Sequence, residues 1–174
     1  MSFSLYSVSH WKGTTKPRGL TREEIDNIFR SINRSTAKGK RDYLIITLLS
    51  RYGLRALELT KIKLKDILWE SSQLKLITKT NKIIYYPITK DVGEAIVDYI
   101  QNCKAKVENP FLFIRLKEPF REYRGSGAVS TFVSRLFKKL GFDEDLMACH
   151  AFRYTVGGNI LNRCGSLQDV QQFL

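Results

Sequence analysis

The chain has 174 residues, a length that fits about one domain with a buried core. Its 29 Lys and Arg residues against 17 Asp and Glu give a formal net charge of +12. Such an excess favours an acidic partner, most commonly nucleic acid, although charge that only keeps the protein in solution would look the same. No apolar run approaches the ~20 residues needed to span a bilayer, so no membrane role is expected.

The first third of the chain predicts a lead-in and two helices. Residues 1–20 are polar and punctuated by glycine and proline, so we interpret them as a linker or the tail of a preceding domain. Thr21 and Glu24 form a capping box ahead of an apolar stripe at helical spacing. The stretch 40–52 is apolar almost all round, which indicates a buried helix, and Gly53 ends it.

A short helix and a small sheet follow. The helix is predicted at about residues 56–62. Short runs rich in apolar and β-branched residues then predict strands at 67–69, 74–78 and 83–88, separated by turns. Strands this few in an otherwise helical chain indicate a mainly α (α+β) fold, with a small three-stranded antiparallel sheet packed against helices.

Helices resume after the sheet. Apolar positions at helical spacing predict helices at 92–103, 129–140 and about 150–163. A further helix at 167–174 shows no end signal, so we expect part of the machinery to lie beyond residue 174. The outer face of the helix at 129–140 carries three cations, Arg135, Lys138 and Lys139.

The cysteines and histidines give no recognisable metal or disulfide pattern. Cys103, Cys149 and Cys164 are an odd number without a CxxC pair, which fits a reducing, intracellular setting. With His10 and His150 they supply no four-ligand zinc spacing, so no metal is expected. A thiol nucleophile at Cys149, beside His150, is a minor alternative.

Two motifs place guanidinium groups at predicted helix starts. Arg55 follows a glycine break, where free backbone N–H groups and the helix dipole favour an anion, and Glu58 on the same face could hold its guanidinium. His150 and Arg153 share one face of a later helix start, where a histidine can act as acid or base near neutral pH. Because arginine donates two parallel hydrogen bonds to phosphate, the motifs together favour a phosphodiester ligand.

Each motif also has a simple structural explanation. The first fits a solvated ion pair on a surface helix, and the second fits a helix-capping histidine beside a surface arginine.

Lys79 lies in the turn between the second and third predicted strands, from which it could deliver a proton to a departing oxygen. Lysine is common in such turns, and Lys82 satisfies the same spacing equally well.

The order of these elements resembles the catalytic domain of the tyrosine recombinase (phage integrase-type) family. The similarity covers about residues 17–174 and includes the opening stretch 17–24, the box 52–59 and the run from His150 onward. It implies that residues 21–174 form that domain, incomplete at its C-terminus, and that residues 1–20 follow a missing N-terminal DNA-binding domain. It further implies double-stranded DNA and other recombinase protomers as partners, with no cofactor.

The resemblance also implies roles for individual residues. Arg55 and Arg153 would grip the scissile phosphate, His150 would assist proton transfer, Lys79 would protonate the leaving 5′ oxygen, and Glu58 would support Arg55. The implied reaction is a transesterification through a 3′-phosphotyrosyl link, which needs neither ATP nor metal. Further contacts to DNA are expected from exposed cations: Lys82, Arg135, Lys138 and Lys139.

The chain departs from the family pattern in two respects. Phe152 and Tyr154 replace the Leu and the final His of the usual His-x-Leu-Arg-His motif. The nucleophilic tyrosine of the family would lie beyond residue 174, so all eight tyrosines are interpreted as structural and the chain alone is expected to cut no DNA. A type IB topoisomerase and a non-catalytic DNA-binding or regulatory module are the alternatives to a mobile-element recombinase.

Overall fold

The computed structural model describes residues 18–164, apart from Lys79, residues 105–106, residues 144–145, Met147 and the side chains of Arg163 and Cys164. This part of the chain forms six α-helices, α1 (Arg22–Arg30), α2 (Ala37–Tyr52), α3 (Ala56–Thr60), α4 (Lys90–Asn102), α5 (Gly127–Lys139) and α6 (Ala148–Cys164). The sheet consists of three antiparallel strands, β1 (Ile67–Leu68), β2 (Gln73–Ile77) and β3 (Ile83–Pro87). The predicted mainly helical fold with a small three-stranded sheet is confirmed.

The chain before α1 lies against the last described helix. The Thr21 hydroxyl accepts from the Glu24 backbone, and the Glu24 carboxylate accepts from the Thr21 backbone, so the predicted capping box is present. Hydrogen bonds from Arg18 lower the pKa of Glu24 to about 2. The Leu20 backbone donates to the Thr155 hydroxyl at 2.6 Å, which fixes residues 18–20 on α6. The predicted linker is otherwise outside the described residues.

Helix α2 is the buried centre of the domain and packs against both α4 and α6. It begins at Ala37, three residues before the predicted start, because the Thr36 hydroxyl accepts from the Gly39 backbone at 3.0 Å and caps it. It ends at Tyr52, and Gly53 adopts the left-handed conformation with φ of 62°. Glycine at this position lets the chain reverse direction without steric cost.

The sheet presents one buried and one exposed face. Leu74 pairs with Tyr86, and both side chains are buried, whereas the neighbouring Tyr85 is half exposed on the opposite face. The hairpin between β2 and β3 closes with a hydrogen bond from the Thr78 backbone to the Lys82 carbonyl. β1 and β3 are each one residue shorter than predicted, and β2 has the predicted length but lies one residue earlier, a normal uncertainty in strand ends.

Helices α5 and α6 pack against each other, and α6 also packs against α2. The amphipathic pattern of α5 is confirmed, and Gly141 follows its end with φ of 70°. Helix α6 begins at Ala148, two residues before its predicted start. Phe152 is fully buried, 5.9 Å from the Phe137 ring centroid, so the departure from leucine there is a core substitution. The predicted helix at 167–174 lies outside the described residues.

None of the helices in the described ranges combines the length and the apolar composition of a membrane-spanning segment.

Candidate functional site

A cavity of about 470 Å³ lies between the start of α3, one side of α5 and the first turns of α6. Arg55, His150 and Arg153 all line it, although the two arginines are about a hundred residues apart in the chain. The structure therefore brings together three of the four residues for which a catalytic role is predicted. Other lining residues include three serines spaced one helical turn apart along α5, Ser126, Ser130 and Ser134.

The Glu58 carboxylate holds Arg55 through two hydrogen bonds. Its guanidinium donates to one oxygen of Glu58 at 2.9 Å, and its backbone N–H donates to the other oxygen at 2.9 Å. The Glu58 side chain is only 9% exposed against 42% for Arg55, so the pair is not the solvated surface pair considered as an alternative. Helix α3 has only five residues, so its dipole adds less to the site than predicted, and the ion pair orients the arginine instead.

Arg153 joins the second motif to the first. Its guanidinium donates to the Gly53 carbonyl at 2.9 Å, and Gly53 is the residue that ends α2 just before Arg55. Burial lowers the pKa of Arg153, and the nearby Arg55 guanidinium lowers it further, while Glu58 and Tyr86 act in the opposite direction. Two cations that repel each other in this way would be stabilised by an anion bound between them.

His150 and Cys149 lie side by side on the first turn of α6, but their surroundings differ. His150 is exposed and lines the cavity one turn before Arg153. Burial raises the pKa of Cys149 to about 11, so the thiol is protonated at neutral pH. Because the thiolate is the nucleophilic form, this environment argues against the alternative of a cysteine nucleophile. Among the described residues, no three His, Cys, Asp or Glu side chains are grouped as metal ligands.

Tyr86 is a residue of this site that the sequence did not reveal. It lies on β3 and is only 4% exposed. Burial and the Glu58 carboxylate raise the pKa of Tyr86 to about 12, while Arg153 and Arg55 oppose the shift. The phenol is thus within electrostatic reach of all three charged groups. From the sequence, alternation along the strand could indicate only that this tyrosine is a core residue.

Only one of the two candidate hairpin lysines lies within the described residues. Lys79 lies outside the described residues. Lys82 is exposed, and its backbone N–H donates to the Thr78 hydroxyl at 3.1 Å. Lys82 is not among the residues that line the arginine cavity.

A second and larger groove, of about 1020 Å³, lies on the other side of α5. Arg135 and Lys139 line this groove, and Lys138 lines neither of the two. The structure therefore places the predicted DNA-binding cations of α5 away from the arginine cavity. The buried Asp42 carboxylate in the groove is already paired within α2. The remaining cations of the groove are Lys38, Arg41, Arg115 and Lys117, none of which was selected from the sequence.

Replacing Glu58 with alanine should lower the free energy of unfolding by about 1–2 kcal/mol, because it removes a helix-capping carboxylate and leaves the Arg55 backbone N–H without its acceptor. Glu58→Gln keeps an acceptor at the same place and should retain most of that stability. Urea denaturation of the three proteins measures the difference. Equal stability of the Ala and Gln variants would show that the carboxylate does not cap α3.

Residues 18–174 match the phage integrase family. The chain is 31% identical over 167 residues to y4rA of Sinorhizobium fredii (strain NBRC 101917 / NGR234), which is named an integrase/recombinase. The aligned region covers 96% of this chain and 41% of that protein. The chain is also 30% identical over 161 residues to the tyrosine recombinase XerC of Staphylococcus epidermidis (strain ATCC 35984), covering 91% of this chain and 53% of that protein.

The fold is also found in a solved structure, the XerH site-specific recombinase bound to its difH substrate before cleavage. The TM-score is 0.73 at 20% identity, covering 91% of this chain and 47% of that one. The chain thus spans about half, or less, of the length of the proteins it matches.

Proposed function

The chain belongs to the phage integrase family, and from this premise we propose that the whole protein is a site-specific DNA recombinase or integrase of a mobile element. The proposed reaction is a transesterification. A tyrosine hydroxyl attacks the scissile phosphorus, the bond to the 5′ oxygen breaks, and a 3′-phosphotyrosyl link forms. The freed 5′ hydroxyl of a partner strand later attacks that link, which breaks the bond to the tyrosine oxygen, releases the tyrosine and restores the phosphodiester. Because the link conserves the bond energy, no ATP is consumed, and the proposed chemistry uses no metal.

The observation that carries this proposal is the shared cavity of Arg55, His150 and Arg153. Two guanidinium groups near each other suit the two non-bridging oxygens of one phosphodiester, where negative charge builds in the transition state. His150 is exposed in the same cavity and would assist proton transfer. Glu58 and the Gly53 carbonyl hold the arginines before DNA arrives, which reduces the cost of organising the site.

The nucleophile in this proposal is not one of the described tyrosines. None of them is among the residues that line the arginine cavity. Tyr86, which lies beside the charged groups, is buried and has a raised pKa, so it cannot readily give a phenolate or reach DNA. Tyr154 is 45% exposed on α6 but is not among the residues that line the cavity. We therefore assign the nucleophilic tyrosine to a part of the protein that the structure does not describe.

We further propose double-stranded DNA and other recombinase protomers as partners. The arginine cavity and the second groove, on either side of α5, support DNA binding, because both offer cations to a phosphate backbone. The XerH relative is bound to a DNA substrate in its structure. Since the named relatives come from bacteria, we propose a bacterial or phage-borne protein that acts in the cytoplasm. Residues 1–20 would link this domain to an N-terminal DNA-binding domain.

The proposed function is tested by covalent capture. The whole protein is incubated with a duplex that carries the recombination site and a nick beside the scissile bond, so that the cleaved strand end diffuses away. Denaturing electrophoresis should then show a protein–DNA adduct. A protein that binds this duplex and forms no adduct would be a non-catalytic DNA-binding module instead.

DNA binding by the 174-residue chain should be weak, largely independent of sequence and strongly dependent on salt. Each phosphate neutralised contributes about −0.9 to the slope of log affinity against log salt, so four contacts would cost about a hundredfold between 50 and 200 mM. Fluorescence anisotropy of a labelled duplex measures this slope. Removing both Arg135 and Lys139 should reduce the slope by about 2 if the second groove holds backbone phosphates. An affinity that does not change with salt would contradict the electrostatic basis of the proposal.

A further inference from the structure

Strand β3 is fastened to the end of α2 by a pair of tyrosines. The rings of Tyr52 and Tyr86 have centroids 4.9 Å apart, and each side chain is only 4% exposed. The Tyr52 hydroxyl donates to the Pro87 carbonyl at 2.6 Å, and Pro87 is the residue that follows Tyr86 in β3. Ring packing and a hydrogen bond between the same two segments leave little freedom for one to move relative to the other.

This pair bears directly on the arginine cavity. Tyr52 is followed by Gly53, whose carbonyl accepts the hydrogen bond from Arg153. Two residues further along the chain is Arg55. The position of the Tyr52 ring therefore affects both the anchor of one guanidinium and the backbone from which the other extends.

The Tyr86 phenol is suited to this environment because it stays neutral. With its pKa raised to about 12, the hydroxyl remains protonated at any pH at which a duplex is bound. A carboxylate in its place would compete with a phosphodiester for the guanidinium groups, whereas a neutral phenol supplies a dipole and leaves their charge available to an anion.

On the basis of the proposed function, we propose that Tyr86 is a positioning residue of the phosphodiester site. Through its ring contact with Tyr52, and through a hydroxyl within electrostatic reach of Glu58, it sets the separation of the Arg55 and Arg153 guanidinium groups so that both bind one phosphate. Tyr86 itself takes no part in bond making or breaking.

The experiment compares Tyr86→Phe with Tyr85→Phe. Both variants lose one hydroxyl from the same strand, but Tyr85 is half exposed on the opposite face of the sheet. Inorganic phosphate is titrated into the 174-residue chain while the side-chain Nε–Hε signals of Arg55 and Arg153 are followed by NMR. In the unaltered chain both signals should shift with a common dissociation constant. Tyr86→Phe should raise that constant at least about fivefold, the effect of losing a hydroxyl among charged groups, and Tyr85→Phe should leave it unchanged.

The Arg135 signal distinguishes positioning from general loss of structure. Arg135 lies in the second groove, so its response to phosphate should be the same in the Tyr86→Phe protein as in the unaltered chain. Equal phosphate affinity at the arginine cavity in the Tyr86→Phe and Tyr85→Phe proteins would overturn the positioning role. If phosphate shifts neither Arg55 nor Arg153 in the unaltered chain, it is the proposed phosphodiester site itself that fails.

A second variant covers the case in which Tyr86→Phe does not fold. Tyr52→Phe keeps the ring pair and removes only the hydrogen bond to the Pro87 carbonyl. It should raise the same dissociation constant about twofold to threefold, a smaller effect because the hydroxyl removed here bonds a neutral carbonyl and not charged groups. No change in that protein would contradict the proposal that the fastening between β3 and α2 sets the arginine separation.

Discussion

Replacing either Arg55 or Arg153 with alanine should reduce strand cleavage by the whole protein at least about 10²- to 10³-fold. In the proposed mechanism each change removes a donor to oxygens that gain charge in the transition state, and losing one such donor costs about that much. The rate of adduct formation on a nicked duplex, with protein in excess over DNA, reports the cleavage step directly. Lysine at either position keeps the charge but not the planar fork, so it should recover only part of the rate.

Arg51→Ala is the matched control for this experiment. Arg51 is an exposed arginine near the end of α2, paired with Asp91 and absent from the cavity lining. It should change the cleavage rate less than about threefold, as expected for an exposed ion pair. If Arg51→Ala slowed cleavage as much as Arg153→Ala, the loss would reflect overall charge rather than the cavity. Normal DNA affinity with lost cleavage would place the effect in the transition state.

Local chemistry explains why much of the fold could be predicted. The Thr21 capping box, the glycine that ends α2 and the apolar stripe of α5 each depend on residues a few positions apart. The early start of α2 was missed because the decisive cap, Thr36, stands before a stretch with no apolar stripe. The first turn of α2 has no apolar periodicity, so only the capping residue Thr36 could have indicated it.

The residues alone predicted separate motifs, and only the family resemblance implied that Arg55 and Arg153 meet at one phosphate. That Arg153 reaches the Gly53 carbonyl depends on the packing of α6 against α2, which no local pattern encodes. Tyr86 has the same alternation as any buried strand residue, so its place beside Glu58 appears only once the sheet is docked on the helices. Likewise the cations of α5 were correctly predicted to face outward, but the sequence could not show that Arg135 faces a different groove.

The role of the hairpin lysine in the proposed chemistry is predicted from the sequence alone. Lys79 is outside the described residues, and Lys82 is exposed outside the cavity lining. The family resemblance implies that Lys79 would protonate the 5′ oxygen as it leaves. A positioned general acid contributes about 10²- to 10⁴-fold, so Lys79→Ala should slow cleavage by that order and Lys82→Ala should slow it far less.

Replacing the leaving 5′ oxygen with sulfur tests this role independently of DNA affinity. A thiolate has a much lower proton affinity than an alkoxide, with a thiol pKa near ~8.5, so it can leave without a general acid. On the sulfur-containing duplex, the Lys79→Ala protein should cleave at a rate close to that of the unaltered protein, whereas Arg55→Ala should remain slow because its loss concerns the phosphoryl oxygens. If the sulfur substitution rescued Lys82→Ala instead, Lys82 would be the general acid. Rescue of neither lysine variant would show that the proton comes from another group, with His150 of the same cavity the first to test.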